Sequence, residues 1–423
     1  RIAIIGSGGR EHSICQKIYE SRNVNSLFCI PGNGGTENIA TNVEKNIKDF
    51  EKIKNFLKEK VIDLTIVGPE EPLVNGIVDF LRKHDLNVFG PDKFCSKLEG
   101  SKIFTKKICD LKKIPTANFK ILNDLKNSIK YLENKKYPLV VKADGLAAGK
   151  GVYICNNFLD AKKAVEEIFD GKFGEAKEVL IEDFLEGEEM SFFLLYDNKS
   201  FKVFNTAQDH KRVFEGDKGK NTGGMGAYSP SRLISRELEE KIIKKIILPT
   251  LNYLKKENGK YIGFLYAGLM IKNNEPYLIE YNVRMGDPEC QTILPLLEND
   301  FLDVLVNCVN GNLENINLKW KNKKSLCIVL TSKGYPEKFK NNILIENLNN
   351  IENNTDQFIF HAGTKLIKEK YYSTGGRVLN IVMLERNYKD ARNKCINLID
   401  KINWNNGHYR KDIGYKVIDE IWE

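Results

Sequence analysis

Over the first hundred residues the apolar positions fall in short runs, each closed by a glycine or proline turn and followed by a polar stretch with helical spacing. Residues 2–5 lead into Gly6-Ser7-Gly8-Gly9 and a helix from about Glu11, and residues 27–30 lead into Pro31-Gly32-Asn33-Gly34-Gly35. Residues 64–67 run into Gly68-Pro69-Glu70, and Val88-Phe89 into Gly90-Pro91. Continuous apolar strands alternating with helices predict a parallel sheet covered on both faces. Ligands are then expected at the turns on the carboxyl ends of these strands.

From about residue 101 to 311 the pattern changes to helices mixed with strands in hairpin-like pairs. Residues 139–143, 179–182, 191–196 and 202–206 read as strands, with a helix over 161–169. Two longer apolar strands, 263–271 and 276–282, flank Lys272-Asn273-Asn274-Glu275, which reads as a four-residue hairpin turn. The remainder returns to strand and helix alternation. The expected fold class is therefore α/β and α+β multidomain. An N-terminal parallel-sheet domain spans 1–100, an antiparallel α+β domain 101–319, and a small C-terminal α/β domain 320–423. At 423 residues the chain exceeds what one hydrophobic core usually supports, which agrees with several units.

Composition narrows the class. A hydrophobic fraction of 42% with 29% charged residues of mixed sign describes an ordinary globular protein. The net charge of +8 is spread along the chain and forms no basic block, so no nucleic-acid partner is expected. No apolar run approaches the ~18 residues that span a bilayer, and residues 1–9 carry no signal-peptide pattern, so no membrane association is expected either. The nine cysteines form no Cys-x-x-Cys pair and no zinc spacing, and read as reduced thiols of a cytoplasmic protein.

Three segments carry candidate chemistry. Lys142-Ala143-Asp144-Gly145-Leu146-Ala147-Ala148-Gly149-Lys150-Gly151 follows an apolar strand and can lay backbone N–H groups and ammonium charges against phosphates. It is not a Walker A loop, because the glycine spacing is short and Lys150 precedes Gly151 instead of Ser or Thr; the competing reading is a flexible hairpin. Glu182-Asp183-Phe184-Leu185-Glu186-Gly187-Glu188-Glu189 joins two strands. Its peptide edge can meet an adenine while a later carboxylate takes ribose hydroxyls, the alternative being an acidic surface turn. In Glu280-Tyr281-Asn282 strand alternation points Glu280 and Asn282 to one face, where two hard oxygens can hold Mg²⁺ beside nucleotide phosphates. Exposed polar alternation is the competing reading there, and the dense polar continuation from Arg284 to Glu289 weakens it.

Taken in order, the lysine, glycine flap, strand-edge hinge and Glu-x-Asn strand resemble the ATP-grasp arrangement. Within that superfamily the chain is similar, nearly end to end, to the phosphoribosylamine–glycine ligase family. The motifs that carry the resemblance include GSGGREH (6–12), PGNGGT (31–36), DLTIVGPEEPLVNG (63–76), LEGSK (98–102), VKADGLAAGKGV (141–152), QDHKR (208–212), NTGGMGAYSP (221–230), HAGTK (361–365), GGRV (375–378) and RKDIG (410–414). The resemblance implies an ATP-grasp domain with a mobile lid subdomain at about 117–186. It implies ATP and Mg²⁺ or Mn²⁺ as cofactors, with glycine and 5-phosphoribosylamine as substrates joined through glycyl phosphate in purine biosynthesis. A monomer is expected, with a dimer as the alternative.

By the same resemblance Lys102, Lys142, Gly149, Lys150 and Gly151 meet the ATP phosphates. Glu182, Asp183, Phe184 and Leu185 flank adenine, and Glu189, with Glu188 as the alternative, takes the ribose. Glu280 and Asn282 carry the metal. Asp209, Lys211, Gly223, Gly224 and Arg284 shape the glycine and acyl-phosphate site, with Arg284, Lys142 and Asp209 catalytic. Gly8, Gly9, Arg10, Pro31, Asn33 and Glu70 meet phosphoribosylamine. Two departures stand out: residues 263–271 lack the additional acid of many ATP-grasp enzymes, and Met285 stands where Phe is expected, a volume-conserving change.

Three other readings compete. A dinucleotide-dependent dehydrogenase fails because Glu11 replaces the third glycine of the fingerprint and the second strand ends in Ile30-Pro31 without an acid. A non-catalytic nucleotide-binding module has no use for a metal pair and Arg284 beside the phosphates. Another ATP-grasp carboxylate–amine ligase or carboxylase of purine synthesis is separated by QDHKR and NTGGMGAYSP.

Overall fold

The computed structural model describes residues 1–146, 151–174, 176–351 and 353–418. The first unit is a parallel sheet of β1 (Ile2–Gly6), β2 (Leu27–Pro31), β3 (Thr41–Asn42), β4 (Leu64–Val67) and β5 (Val88–Phe89), in the order β3-β2-β1-β4-β5. Strand order reverses about β1, so a crevice opens at its carboxyl end, where the turns after β1, β2 and β4 meet. The first helix, Gly9–Tyr19, starts two residues before the expected Glu11. The Gly8 N–H donates to the Glu11 carboxylate at 2.7 Å and closes the first turn.

A small antiparallel sheet follows: β6 (Phe119–Leu122), β7 (Leu139–Ala143), β8 (Val152–Cys155) and β9 (Val179–Asp183), ordered β6-β9-β7-β8. Helices Leu125–Leu132 and Phe158–Phe169 back it. The second begins earlier than the pattern suggested because Asn157 caps it by accepting from the Asp160 N–H. This unit has its own core, including Leu139, Val141, Val165, Ile168 and Ile181.

The remaining strands are β10 (Glu188–Tyr196), β11 (Phe201–Asp209), β12 (Arg212–Phe214), β13 (Lys218–Asn221), β14 (Gly226–Ser229), β15 (Gly263–Lys272), β16 (Glu275–Asn282), β17 (Lys324–Ser332), β18 (Ile343–Ile345), β19 (Gln357–His361), β20 (Thr364–Ile367), β21 (Lys370–Ser373), β22 (Arg377–Glu385) and β23 (Gly407–His408). One sheet runs β16-β15-β10-β11-β14-β17-β22-β19, with β23 on β17. Short β14 pairs with β11 on one side and β17 on the other, so the sheet crosses from the middle of the chain into the C-terminal region without a break. The turn between β15 and β16 differs from the expected four residues. Lys272 pairs with Glu275, and only Asn273 and Asn274 bridge them, both at positive φ of 51° and 58°. That is the backbone of a two-residue turn matched to strand twist, which asparagine tolerates.

All nine cysteines are buried and free of disulfides. Among the described residues no helix is long and apolar enough to cross a membrane.

Candidate active site

The turns at the carboxyl ends of β1, β2 and β4 are tied together by their own backbone and side chains. The Asn33 amide donates to the Ser7 carbonyl at 2.9 Å and to the His361 carbonyl at 2.8 Å, while its oxygen accepts from the Gly35 and Thr36 N–H groups. Asn33 therefore shapes the turn with its side chain. Gly9 is required by packing, since a Cβ there would lie 2.2 Å from the Asn380 amide. Pro31 closes β2 beside these glycines.

Arg10 does not project into solvent. It is buried, pairing through Nε with Glu11 at 2.6 Å, and Nη1 donates to the Met285 carbonyl at 3.2 Å. Glu70, at the start of the helix after β4, lies 3.3 Å from Arg284 Nε and 4.0 Å from Arg10 Nη1. Arg284 and Arg10 hold the Glu70 carboxyl down at about 2 against the opposing effect of burial. Arg284 Nη2 also meets Glu99 at 2.5 Å. Withdrawal from water pushes the Glu99 carboxyl up to about 7 even so. The expected catalytic arginine is thus already gripped by two carboxylates, both from the N-terminal hundred residues.

The nucleotide elements gather around β7, β9 and β10. Lys142 on β7 and Glu182 on β9 are both buried and meet at 2.9 Å; the other Glu182 oxygen lies 3.2 Å from Lys106. The Glu182 carboxylate is thereby committed to two ammonium groups. Burial raises the Glu182 carboxyl, but Lys142 and Lys106 outweigh it and hold it below the usual carboxylate range. Asp183 is exposed and accepts from the Asn118 amide at 2.9 Å, and Phe184 is 37% exposed at the hinge. Leu185 is half-buried beside it, and Gly151 is buried where β8 begins. Gly149 and Lys150 lie outside the described residues. Lys102 donates to the Gly145 carbonyl at 2.8 Å.

Strand alternation separates the two hinge acids. Glu188 meets Arg232 at 2.5 Å, whereas Glu189 meets Lys211 at 2.6 Å and lies close enough to Lys142 to feel its charge. Glu189 therefore shares the face of the lysines. Lys211, Asp209 and Lys102 all feel the charge of Glu280. Withdrawal from water, opposed by Lys211 and reinforced by Glu289, Glu189 and Glu280, pushes the Asp209 carboxyl up to about 7. Burial works against the Lys211 ammonium, yet Asp209, Glu189 and Glu280 raise it well above the ordinary lysine range.

Glu280 and Asn282 stand half-buried at the end of β16, and among the described residues neither side chain forms a hydrogen bond or ion pair. A bulge opposite Gly268 and Leu269 leaves Glu280 facing Gly268, where the absence of a side chain makes room for its stem. Two oxygen side chains without a hydrogen-bond partner among the described residues fit a hard divalent cation that takes its other ligands from phosphate and water. Among the described residues no group of three or more His, Cys, Asp or Glu side chains forms a metal cluster.

Beyond Asn282 the chain turns toward the N-terminal crevice. Asp287 accepts from the Arg10 N–H at 3.4 Å and pairs with Arg377 at 3.1 Å, and Arg377 also donates to the Gly223 carbonyl at 2.8 Å. Gly224, at φ 121°, packs against Pro288. Lys106, Glu99, Asp287, Glu289 and Arg377 are charged groups of the site that were not among the candidate residues. The i,i+4 spacing from Lys102 on the helix Lys102–Lys112 was the available signal for Lys106. Arg377 lies far away in sequence and gave none beyond GGRV.

A lysine strand, a hinge between β9 and β10 and a Glu-x-Asn strand around one cleft define an ATP-grasp enzyme. Family models of phosphoribosylglycinamide synthetase match the chain in three pieces: the N domain at residues 1–99, the ATP-grasp (A) domain at 100–290 and the C domain at 325–416. A phosphoribosylamine–glycine ligase from Agrobacterium fabrum is 43% identical over 99% of both chains. The crystal structure of the phosphoribosylamine–glycine ligase from Thermotoga maritima superposes with a TM-score of 0.84 at 31% identity, covering 98% of this chain and all of that one. A biotin carboxylase domain from Hydrogenobacter thermophilus, solved with MgADP, ADP and bicarbonate, shares the fold at 15% identity, with a TM-score of 0.72 over 94% of this chain and 89% of that one. The chain belongs to the phosphoribosylglycinamide synthetase, or phosphoribosylamine–glycine ligase, family of ATP-grasp ligases of purine biosynthesis.

Proposed function

We propose that the chain joins glycine to 5-phosphoribosylamine with ATP, through glycyl phosphate, and releases ADP and phosphate. One observation carries the reading: the eight residues from Glu280 to Asp287 run from the cation-binding end of the nucleotide cleft to the N-terminal turns, where Arg284 meets Glu70 and Asp287 meets Arg10. A phosphate held at one end and an amine held at the other are then brought to the same carboxylate.

Lys102 and Lys142, with Gly149, Lys150 and Gly151 of the flap, hold the ATP phosphates. The backbone of Glu182, Asp183, Phe184 and Leu185 borders adenine, and Glu189 takes the ribose. Glu280 and Asn282 would hold Mg²⁺ or Mn²⁺, which supplies charge neutralisation at the transferring phosphoryl group when bound. Asp209 receives the glycine ammonium, and Lys211, Gly223, Gly224 and Arg284 surround its carboxylate. Gly8, Gly9, Arg10, Pro31, Asn33 and Glu70 border the phosphoribosylamine site. Lys142 and Arg284 offset charge as the glycine oxygen reaches phosphorus, and the attacking amine then displaces phosphate. The unit at about 117–186 acts as a lid that excludes water from the acyl phosphate, supported by its separate core.

We divide the chain at 1–100, 101–319 and 320–423, and place the reaction in the cytoplasm, which the nine buried free cysteines support. The test is ADP release with glycine and freshly made phosphoribosylamine, omitting each in turn. Full release requires both, and undiminished release without glycine contradicts the reading.

A further inference from the structure

The segment Arg410-Lys411-Asp412-Ile413-Gly414 has no part in the reaction described so far. Yet Arg410 heads the largest fully buried side chains of the described residues, at 0% exposure. A buried guanidinium needs its charge and its donors answered. Its Nε and Nη2 form a fork with the two Asp412 oxygens at 2.8 and 2.7 Å, and Nη1 donates to Asp217 at 2.8 Å and to the Arg212 carbonyl at 3.0 Å. Asp412 in turn accepts from the Gly216 N–H at 2.9 Å. Alongside, the Gly414 N–H donates to His210 Nε2 at 3.0 Å and Tyr415 Oη donates to Asp217 at 2.7 Å.

Apart from the Arg410–Asp412 fork itself, each of these bonds lands on residues 210–217, the loop and short hairpin that leave β11. The loop starts at Asp209 and carries Lys211, whose side chains face Glu189 and Glu280 across the cleft. On the other side Thr222 holds it through its N–H and hydroxyl to the Lys211 carbonyl, each at 2.8 Å, the His210 N–H donates to the Gly226 carbonyl at 2.9 Å, the Met225 N–H donates to the His210 carbonyl at 2.8 Å, and β12 pairs with β13. The backbone next to Lys211 is thus held in part by a buried arginine about 200 residues away in sequence, which reaches the Arg212 carbonyl and Asp217.

We propose that Arg410 is a positioning residue for the ligation, holding the loop 210–217 so that Asp209 and Lys211 meet glycine in register with the nucleotide. The proposal rests on the reading of Asp209 and Lys211 as glycine-site residues. Lysine cannot replace the arginine, because a single ammonium cannot form the fork to Asp412 and also reach Asp217 and the Arg212 carbonyl. A displacement of the order of 1 Å at reacting groups can cost about 100-fold in rate.

The experiment compares Arg410→Lys, Lys211→Met and the double variant in steady state, varying glycine and ATP separately, with thermal unfolding recorded for each. Arg410→Lys is expected to lower kcat/KM for glycine by about 10- to 100-fold and to leave KM for ATP within about 2-fold. The double variant should be no worse than Lys211→Met, since the two losses share one cause. Equal losses for glycine and ATP, or losses that multiply in the double variant, overturn the positioning role. Impaired Lys211→Met with normal Arg410→Lys defeats this proposal alone, whereas normal glycine kinetics in Lys211→Met defeats the glycine-site reading beneath it. Should Arg410→Lys not fold, Asp217→Ala, which leaves the fork to Asp412 in place, carries the same comparison with the same outcomes.

Discussion

Glu182→Gln tests how the nucleotide cleft is held before ATP arrives. The substitution keeps the shape of the side chain and removes the one charge that answers two buried lysines, Lys142 at 2.9 Å and Lys106 at 3.2 Å. Removing one partner of a buried ion pair costs about 3–5 kcal/mol, because the surviving charge stays buried and uncompensated. Lys106 keeps the Thr116 hydroxyl at 2.5 Å and the Phe119 ring at 5.5 Å, which favours the low end, about 3 kcal/mol. For a cooperative unit of 150–250 residues that loss lowers Tm by roughly 6–12 °C. Calorimetry without and with saturating ATP is the assay. The phosphates should re-pair Lys142, so ATP should raise Tm more in Glu182→Gln than in the parent. Adding Lys106→Met should recover part of the loss, since it removes one of the two stranded charges. A Glu182→Gln protein melting within about 2 °C of the parent would refute the argument that this carboxylate organises the cleft.

Asp209 gives a pH prediction. Its carboxyl titrates at about 7 in the folded chain against 3.8 ordinarily, so the folded state binds the extra proton between those values and stability falls as pH rises through that window. In the proposed reaction the ionised form of Asp209 would receive glycine, so kcat/KM for glycine should rise with pH through about 7 and lose that limb in Asp209→Asn. Replacing Glu280 with Gln or Asn282 with Ala should lower kcat by at least about 100-fold with little change in Tm, because among the described residues neither side chain forms a hydrogen bond or ion pair. Arg10→Ala should raise KM for phosphoribosylamine and also lower Tm, by an amount reflecting the cost of about 3–5 kcal/mol of stranding buried Glu11; an unchanged Tm would contradict the pairing.

Local pattern was enough for the elements that are buried on both faces. Residues 2–5 and 64–67 read as strands because parallel strands under helices are continuous apolar runs, and the glycine turns after them mark where ligands can approach. The join between the middle and C-terminal regions was not legible. It depends on four residues, Gly226–Ser229, pairing with strands from both regions, and nothing in AYS announces a sheet interior. The hairpin at Asn273-Asn274 was misread although two asparagines are a signal for positive φ. Residue types at the site were legible, but their partners were not. Glu182, read from the sequence as a residue flanking the base, has the side-chain environment of a lysine clamp, and Arg284 answers Glu99 and Glu70 from two separate stretches of chain. Such pairings join residues far apart in sequence, and no spacing rule carries them.

The central claim is that glycine's carboxylate, and not the amine, attacks the γ-phosphorus. In that step one carboxylate oxygen becomes the bridge to phosphorus and departs with it when the amine of phosphoribosylamine displaces phosphate. Glycine carrying heavy oxygen at both carboxylate positions is turned over with ATP and phosphoribosylamine, and the released phosphate is analysed by mass spectrometry. The account predicts one heavy oxygen in each phosphate and one retained in the product amide. Unlabelled phosphate during productive turnover would contradict it.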